Sequence, residues 1–168
     1  MRATVFALGV IVCAACASGC GKGPHHLPEA EFNAGKAALE DLDRAASARD
    51  DESKRAWRNA ADAQMSNIES SNQALYLALS NYSLAQGTRD EFELYLRSTE
   101  RELQNAKTHQ AEEKIYPALT SFEKAVASSD VLIKTCRDDA AQWFLADVAA
   151  TNTCRSELDR INKKRDRK

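Results

Sequence analysis

The amino-acid sequence predicts an all-α protein, an antiparallel bundle of about four to six helices closed by one disulfide. After Pro28 the chain contains only two glycines, Gly35 and Gly87, and one proline, Pro117. The intervening residues are rich in Ala, Leu, Glu, Lys, Arg and Gln, which favour helix. Apolar residues also recur at steps of three and four, the spacing of one helical face. We therefore expect long helices that pack side by side, and no sheet.

The first 19 residues have the composition of an export signal. Met1 and Arg2 place positive charge at the start, and residues 3–17 form an apolar run that is too short for a membrane-spanning helix. Residues 17–20 then read Ala-Ser-Gly-Cys, which resembles the lipobox of bacterial lipoprotein signals, where the first position more often holds Leu. The resemblance implies that the chain is cut before Cys20, that the Cys20 thiol carries a diacylglycerol, and that the new amine is acylated.

Lipidation at Cys20 predicts a chain anchored to the membrane in the bacterial cell envelope, because several acyl chains together give stable attachment. Gly21 follows the cysteine where Asp could stand, and by resemblance to enterobacterial sorting this favours the outer membrane, with the domain facing the periplasm. The alternative is ordinary secretion. Residues 15–17 read Ala-Cys-Ala, a cleavage pattern that would release a soluble chain beginning at Ser18.

A flexible tether at residues 20–28 separates this anchor from the domain at residues 29–168. Its sequence, Cys-Gly-Lys-Gly-Pro-His-His-Leu-Pro, cannot hold a helix. His25 and His26 are candidate metal ligands, but the only other histidine is His109. Two adjacent ligands on a tether do not match the ligand spacing of zinc sites. We predict no metal and no cofactor.

Residues 29–168 are long enough for one hydrophobic core, so we expect one domain. Without Arg2 the chain has 22 basic and 25 acidic residues, a formal net charge of −3 with the signs well mixed. This balance predicts no nucleic-acid partner, because such domains are basic. A basic cluster ends the chain: Lys163, Lys164, Arg165, Arg167 and Lys168. It suits the negative end of a helix dipole, and the alternative is contact with anionic lipid or an acidic partner.

The first predicted helix begins after Pro28, a residue favoured in the first helical turn. One of its faces carries small and apolar residues at helical spacing: Phe32, Gly35, Leu39, Leu42 and Ala46. The polar run from Arg49 to Lys54 predicts a break or a solvent-crossing turn. A single helix from residue 29 to residue 86 is the alternative.

The second predicted helix carries a heptad seam that begins after Trp57. The seam is Ala61, Met65, Ile68, Asn72, Leu75, Leu79 and Tyr82. Asn72 either fixes the register between helices or lies at the edge of this face. Gly87 is expected to end the helix, and Thr88 with Glu91 forms a capping box for the next one.

The third predicted helix has Phe92, Leu96, Thr99, Leu103 and Ala106 on one face and fades through the polar run from His109 to Lys114. Pro117 either kinks the chain or opens the fourth helix. The buried face of that fourth helix is Leu119, Phe122, Val126, Ser129, Ile133 and Cys136.

The cysteine count predicts a disulfide between Cys136 and Cys154. Cys13 and Cys16 lie in the removed segment and Cys20 would carry lipid, so an even pair remains in an oxidising compartment. The alternatives are two buried thiols or an intermolecular bond. The two cysteines are 18 positions apart, about 27 Å in a straight helix, whereas a disulfide needs Cα atoms roughly 4.4–6.8 Å apart.

The chain must therefore fold back between the two cysteines. Residues 151–153, Thr-Asn-Thr, are the expected bend because they favour caps and turns. We expect a short helix around Trp143, Phe144 and Val148 before the bend. A last helix would follow, with Cys154, Leu158 and Ile161 on its inner face.

Motifs of catalysis are missing from the sequence. Ser121 and Lys124 match S-x-x-K, but the S-D-N and K-T-G partners of that motif are absent. The adjacent carboxylates at 112–113 and 138–139 make poor acid–base pairs, since neighbouring residues of a helix do not face each other. No zinc-protease, phosphate-loop or dinucleotide motif is present. We predict that the protein is not an enzyme.

The last third of the chain resembles the small helical domain of LprI-type lysozyme-inhibitor lipoproteins. The resemblance covers roughly residues 95 to 165. It lies in the spacing of Cys136 and Cys154, in Leu158 and Arg160 beyond the second cysteine, and in the Arg-Glu-Leu-Gln of residues 101–104. The family's Trp and Arg-Asp before the first cysteine, and its further upstream cysteine, are absent. The resemblance implies lysozyme inhibition and assigns no functional residue.

Three functions fit these features. The first is a helical protein-interaction module, because anchor, tether and heptad seams occur without catalytic motifs; its partner would be another envelope protein. The second is an inhibitor of a cell-wall hydrolase such as lysozyme. The third is a structural coiled-coil spacer. A small-molecule substrate is not expected, since the seams are filled by side chains.

Overall fold

The computed structural model describes residues 27–143 and 153–165, and the regular structure of these residues is entirely helical. The all-α prediction is confirmed. The predicted signal peptide, Cys20 and nearly all of the tether lie outside the described residues, as do Phe144, Val148 and most of the expected bend. Five helices are described: α1 Glu29–Ser47, α2 Asp51–Glu69, α3 Gln73–Asn105, α4 His109–Gln142 and α5 Thr153–Arg165.

The break predicted within the polar run after Arg49 is confirmed. α1 ends at Ser47, and Asp50 caps α2, where its carboxylate accepts a hydrogen bond of 2.7 Å from the backbone N–H of Ser53. This bond also lowers the pKa of the Asp50 carboxyl. The inner face of α1 differs from the prediction at one position, because Ala45 is buried and Ala46 is exposed. A single helix from residue 29 to residue 86 does not form.

Asn72 caps the start of α3, so its predicted place within one continuous heptad seam is wrong. The apolar residues of that seam are all buried, but they are divided between α2, which ends at Glu69, and α3. The Asn72 side chain accepts a hydrogen bond of 3.0 Å from the Leu75 N–H. Asn satisfies a free N–H at a helix start, and the two serines before it favour a turn.

α3 continues through Gly87 for 33 residues, so the predicted helix end and the capping box at Thr88 and Glu91 are both wrong. The Thr88 hydroxyl instead donates a hydrogen bond of 2.9 Å to the carbonyl of Leu84, one turn back in the same helix. Glycine in a helix interior costs about 1 kcal/mol relative to alanine. Packing of α3 along α4 outweighs this local preference.

α4 begins earlier than predicted. Thr108 caps it by accepting a hydrogen bond of 3.2 Å from the Ala111 N–H, so the polar run from His109 is the first turn of α4. Pro117 lies inside this helix and does not open it. A proline interior to a helix has no N–H to donate to the carbonyl four residues earlier, and here the helix continues past it.

Two antiparallel helix pairs, α1 with α2 and α3 with α4, pack together, and α5 lies against α3 and α4. All five helices contribute to one hydrophobic core. Among the described residues, no helix is both long enough and apolar enough to cross a membrane. The larger buried side chains of the core are Leu39, Leu42, Met65, Ile68, Leu75, Leu79, Tyr82, Leu132, Cys136, Cys154 and Leu158.

α3 and α4 extend well beyond this core. Their 33 and 34 residues correspond to roughly 50 Å, against roughly 28 Å for the 19 residues of α1 or α2. The buried apolar residues of α3 end at Ala85, and those of α4 begin at Leu132. We call residues 94–127 the α3–α4 hairpin. Within it only Thr99 is buried, and the other predicted seam residues are half-buried because each helix has a single neighbour.

The disulfide between Cys136 and Cys154 joins α4 to α5, with 4.8 Å between the Cα atoms. The chain thus folds back between the two cysteines, as the spacing predicted. The buried Asp139 carboxylate accepts a hydrogen bond of 2.8 Å from the Cys154 N–H in the first turn of α5. Leu158 is buried below it, whereas Trp143 caps the end of α4.

Candidate functional site

The carboxylate pairs noted in the sequence have structural partners. Glu112 and Glu113 lie 3.6 and 3.2 Å from the two ring nitrogens of His109. Asp138 contacts Lys134, whose hydrogen bond lowers the pKa of this carboxyl. Asp139, as described above, caps α5. None of these arrangements places two carboxylates on a common cavity.

Ser121 and Lys124 are exposed on α4. They line a shallow depression of the hairpin together with Tyr116 and Pro117. No general base is in hydrogen-bond contact with the Ser121 hydroxyl among the described residues. Throughout residues 27–143 and 153–165, no three His, Cys, Asp or Glu side chains are grouped so that they could hold a metal ion.

A polar link connects α1, α3 and α4 through the buried Tyr82, the half-buried Asp43 and the exposed Arg137. The Tyr82 hydroxyl donates a hydrogen bond of 2.9 Å to the Asp43 carboxylate, and the Arg137 Nε lies 3.4 Å from the same oxygen. One turn along α3, the Gln86 amide donates a hydrogen bond of 2.7 Å to the Leu42 carbonyl. Burial raises the pKa of the Tyr82 hydroxyl well above its ordinary value, and its bond to Asp43 raises it further.

We expect the stability of the protein to fall more steeply above about pH 10 than that of a Tyr82→Phe variant. In the unfolded chain Tyr82 loses its proton near its ordinary pKa of about 10, whereas the folded state retains the proton, so rising pH favours unfolding. The loss amounts to about 1.4 kcal/mol for each pH unit. Urea unfolding from about pH 8 to about pH 11 measures it. Equal slopes for the two proteins would contradict this role.

A polar cleft lies between the α1–α2 turn and the middle of α3, where the hairpin leaves the core. Its volume is about 480 Å³. Five basic and three acidic side chains line it, an excess of two positive charges on a chain whose net charge is negative. We call it the basic cleft. Its basic side chains are Arg49, Lys54, Arg58, Arg89 and Arg97.

Ion pairs hold four of these five cations in place. Lys54 and Arg58, both on α2, contact Asp90 on α3 at 3.6 and 2.8 Å. On α3 itself, Arg89 and Arg97 both contact Glu93.

Arg89 also reaches Asp130 on α4 at 3.2 Å. Arg49, at the turn between α1 and α2, is exposed and makes no hydrogen bond or ion pair with any residue that the structure describes.

The basic cleft is not predicted by any motif in the sequence. Its residues span positions 45 to 133 and come from α1, α2, α3, α4 and the turn between α1 and α2. The polar run from Arg49 to Lys54 is the local pattern at this place in the chain, and by itself it predicts a turn.

The α3–α4 hairpin presents the second surface of interest. Three large side chains on it are exposed: Leu94 by 66 %, Tyr95 by 45 % and Tyr116 by 54 %. The Tyr95 ring contacts the Phe122 ring across the two helices at 5.5 Å between centroids. These side chains lie beyond the hydrophobic core, so the packing of the core does not account for them.

The predicted site residues divide between described and undescribed parts of the chain. Cys136 and Cys154 are brought together, whereas Cys20 lies outside the described residues. Lys163 and Lys164 of the basic tail are exposed at the end of α5. Comparison with protein-family models, curated proteins and solved structures finds no match to this chain.

Proposed function

We propose that this protein is a lipid-anchored helical interaction module of the bacterial cell envelope, which binds another envelope protein through the α3–α4 hairpin. The observation that carries the proposal is the exposure of Leu94, Tyr95 and Tyr116 on a two-helix projection. Tyrosine and other aromatic residues are enriched where protein partners meet. Catalytic motifs are absent from the sequence, and binding requires none.

An amphipathic helix of the partner fits this surface. Leu96 and Leu103 on α3 are only half-buried, because each helix of the hairpin packs against one other helix. A third helix laid along the pair would bury the remaining apolar area and complete a three-helix bundle. The acidic and basic residues that alternate around the hairpin can set the register of such a helix.

The lipobox-like sequence at residues 17–20 supports the location. A lipid on Cys20, followed by the tether at 20–28, would hold the domain close to the membrane and leave the hairpin free to reach a partner. The outer membrane, with the domain in the periplasm, is the proposed site because Gly21 and not Asp follows the cysteine.

Site-specific photocrosslinking in intact cells tests this function. A photoreactive amino acid replaces Leu94 or Tyr116 on the hairpin of the full-length protein, and in the control it replaces the exposed Arg155 on α5. We expect discrete crosslinked products from the two hairpin positions and none of the same size from Arg155.

Leu94→Glu is introduced into the protein that carries the photoreactive residue at 116. Because Leu94 is exposed, we expect this variant to retain the fold and to differ only in the binding surface. We expect loss of the crosslinked product. Equal products from hairpin and control positions would contradict the proposal. Incorporation of labelled palmitate into the wild-type chain, but not into Cys20→Ser, tests the anchor in the same cells.

A further inference from the structure

We infer that the basic cleft binds a small peptide-like ligand through a carboxylate and a neighbouring amide N–H. This site is distinct from the exposed side chains of the hairpin and does not depend on the function proposed for them. The cleft volume of about 480 Å³ lies within the range of small-ligand pockets.

The charges of the basic cleft favour an anion. Lys54, Arg58 and Arg89 are half-buried and are held by Asp90, Glu93 and Asp130, so their positions are set before a ligand arrives. Preorganised charges bind more strongly because less side-chain freedom is lost.

Arg49 stands at the rim of the basic cleft with its guanidinium unpaired within the described part of the chain. A guanidinium binds a carboxylate by two parallel N–H···O bonds. Arg49 is therefore the first contact that we assign to the ligand carboxylate.

Arg58 and Gln86 both line the cleft, and each carries a polar atom without a hydrogen-bond partner, the donor Arg58 Nε and the acceptor Gln86 Oε1. Both are shielded from solvent, and Gln86 is only 2 % exposed. Buried polar atoms without partners are rare in native proteins, and a bound ligand is one way of satisfying them.

A ligand that satisfies both atoms must accept a hydrogen bond from Arg58 and donate one to Gln86. A carboxylate beside an amide N–H provides both groups, as at the end of a short peptide or in an acidic residue within one. Inorganic phosphate provides the anion but no amide donor. Because both atoms are shielded from solvent, the Gln86 side chain rotates slightly to admit the ligand, while Arg58 keeps its ion pair with Asp90.

Isothermal titration calorimetry of the full chain tests this assignment, with N-acetyl-alanyl-glutamate as the probe. The fully amidated form of the same peptide is the matched neutral ligand, and inorganic phosphate is the second anion. We expect saturable binding of the acidic peptide, at one site, and at least about tenfold weaker binding of the amidated peptide and of phosphate.

Two variants locate the site. Arg49→Gln removes the unpaired cation at an exposed position, and Arg58→Lys removes the Nε donor but retains the charge that contacts Asp90. Each is expected to weaken binding of the acidic peptide by about tenfold. Arg155→Gln removes the same charge from the exposed face of α5 and is expected to leave the affinity unchanged.

Circular dichroism establishes that each variant is folded before titration. Failure of the acidic peptide to bind the wild-type protein would overturn the inference, as would equal affinities for wild type and Arg49→Gln. Binding of phosphate without binding of the peptide would overturn the class of ligand.

Discussion

Replacement of both Cys136 and Cys154 by alanine is expected to lower the free energy of unfolding by about 3 kcal/mol relative to the oxidised protein. The disulfide closes a loop of 18 positions, so the unfolded chain is less restricted without it. It also attaches the 13 residues of α5, which otherwise depend on the burial of Leu158, on the half-buried Ile161 and on the hydrogen bond from the backbone N–H at position 154 to Asp139. Urea unfolding followed by circular dichroism measures the difference.

Reduction provides the control for this prediction. A reducing agent should shift the unfolding midpoint of the wild-type protein towards that of the double alanine variant and leave the variant unchanged. Alanine is the appropriate replacement because both cysteines are fully buried, and a buried serine hydroxyl would add a cost of its own. A midpoint that reduction does not alter would show that the bond contributes no stability.

Leu79→Ala is expected to destabilise the protein by about 3 kcal/mol, within the range of roughly 2–5 kcal/mol for this substitution in a core. Leu79 is 0 % exposed, and it lies on α3 between Leu75 and Tyr82, which are also fully buried. Truncation leaves a cavity that the surrounding helices cannot close without losing their own contacts. The change in the free energy of unfolding is again measured by urea denaturation.

Leu94→Ala is the matched comparison because it makes the same change on the same helix. Leu94 is exposed in the hairpin, so its truncation should alter stability by no more than about 0.5 kcal/mol. Similar losses for Leu79 and Leu94 would mean that the core extends along all of α3.

The apolar spacing predicted which side chains are buried more reliably than where helices end. The spacing predicts Ile68, Leu75 and Leu79 on one seam, and all three are buried. However, α2 ends and α3 begins between Ile68 and Leu75. The spacing records which face of a helix meets the core. The spacing does not show where a helix can be interrupted by a turn while the same face stays buried.

Gly87 and Asn72 show that the local preference of a residue does not fix where a helix ends. Glycine often ends a helix. However, α3 packs against other helices both before and after Gly87, and this packing outweighs the cost of about 1 kcal/mol for a glycine inside a helix. Asn72 lies in a polar segment with Ser70 and Ser71, where a cap and a turn expose little apolar area. In both cases the local preference of the residue competes with tertiary contacts, and a short stretch of sequence contains no information on those contacts.

The candidate sites differ in how far the sequence predicted them. The cysteine count predicted the pairing of Cys136 with Cys154 once Cys13, Cys16 and Cys20 were assigned to the signal and the lipid anchor. The basic cleft could not be predicted, since Arg49, Arg58 and Arg89 are far apart in the chain and have no motif spacing. Cys20 and the lipid anchor remain predictions from the sequence.

The sequence by itself determined the all-α class and the face that each helix turns inward, and it predicted the disulfide between Cys136 and Cys154. These properties follow from helix propensity, from a period of 3.6 residues and from the small number of thiols, all of which are local or countable. Only the tertiary structure decided the helix boundaries, the projection of the α3–α4 hairpin and the assembly of the basic cleft. These depend on which helices become neighbours, because the free energy of packing between distant segments exceeds the preferences of any single residue.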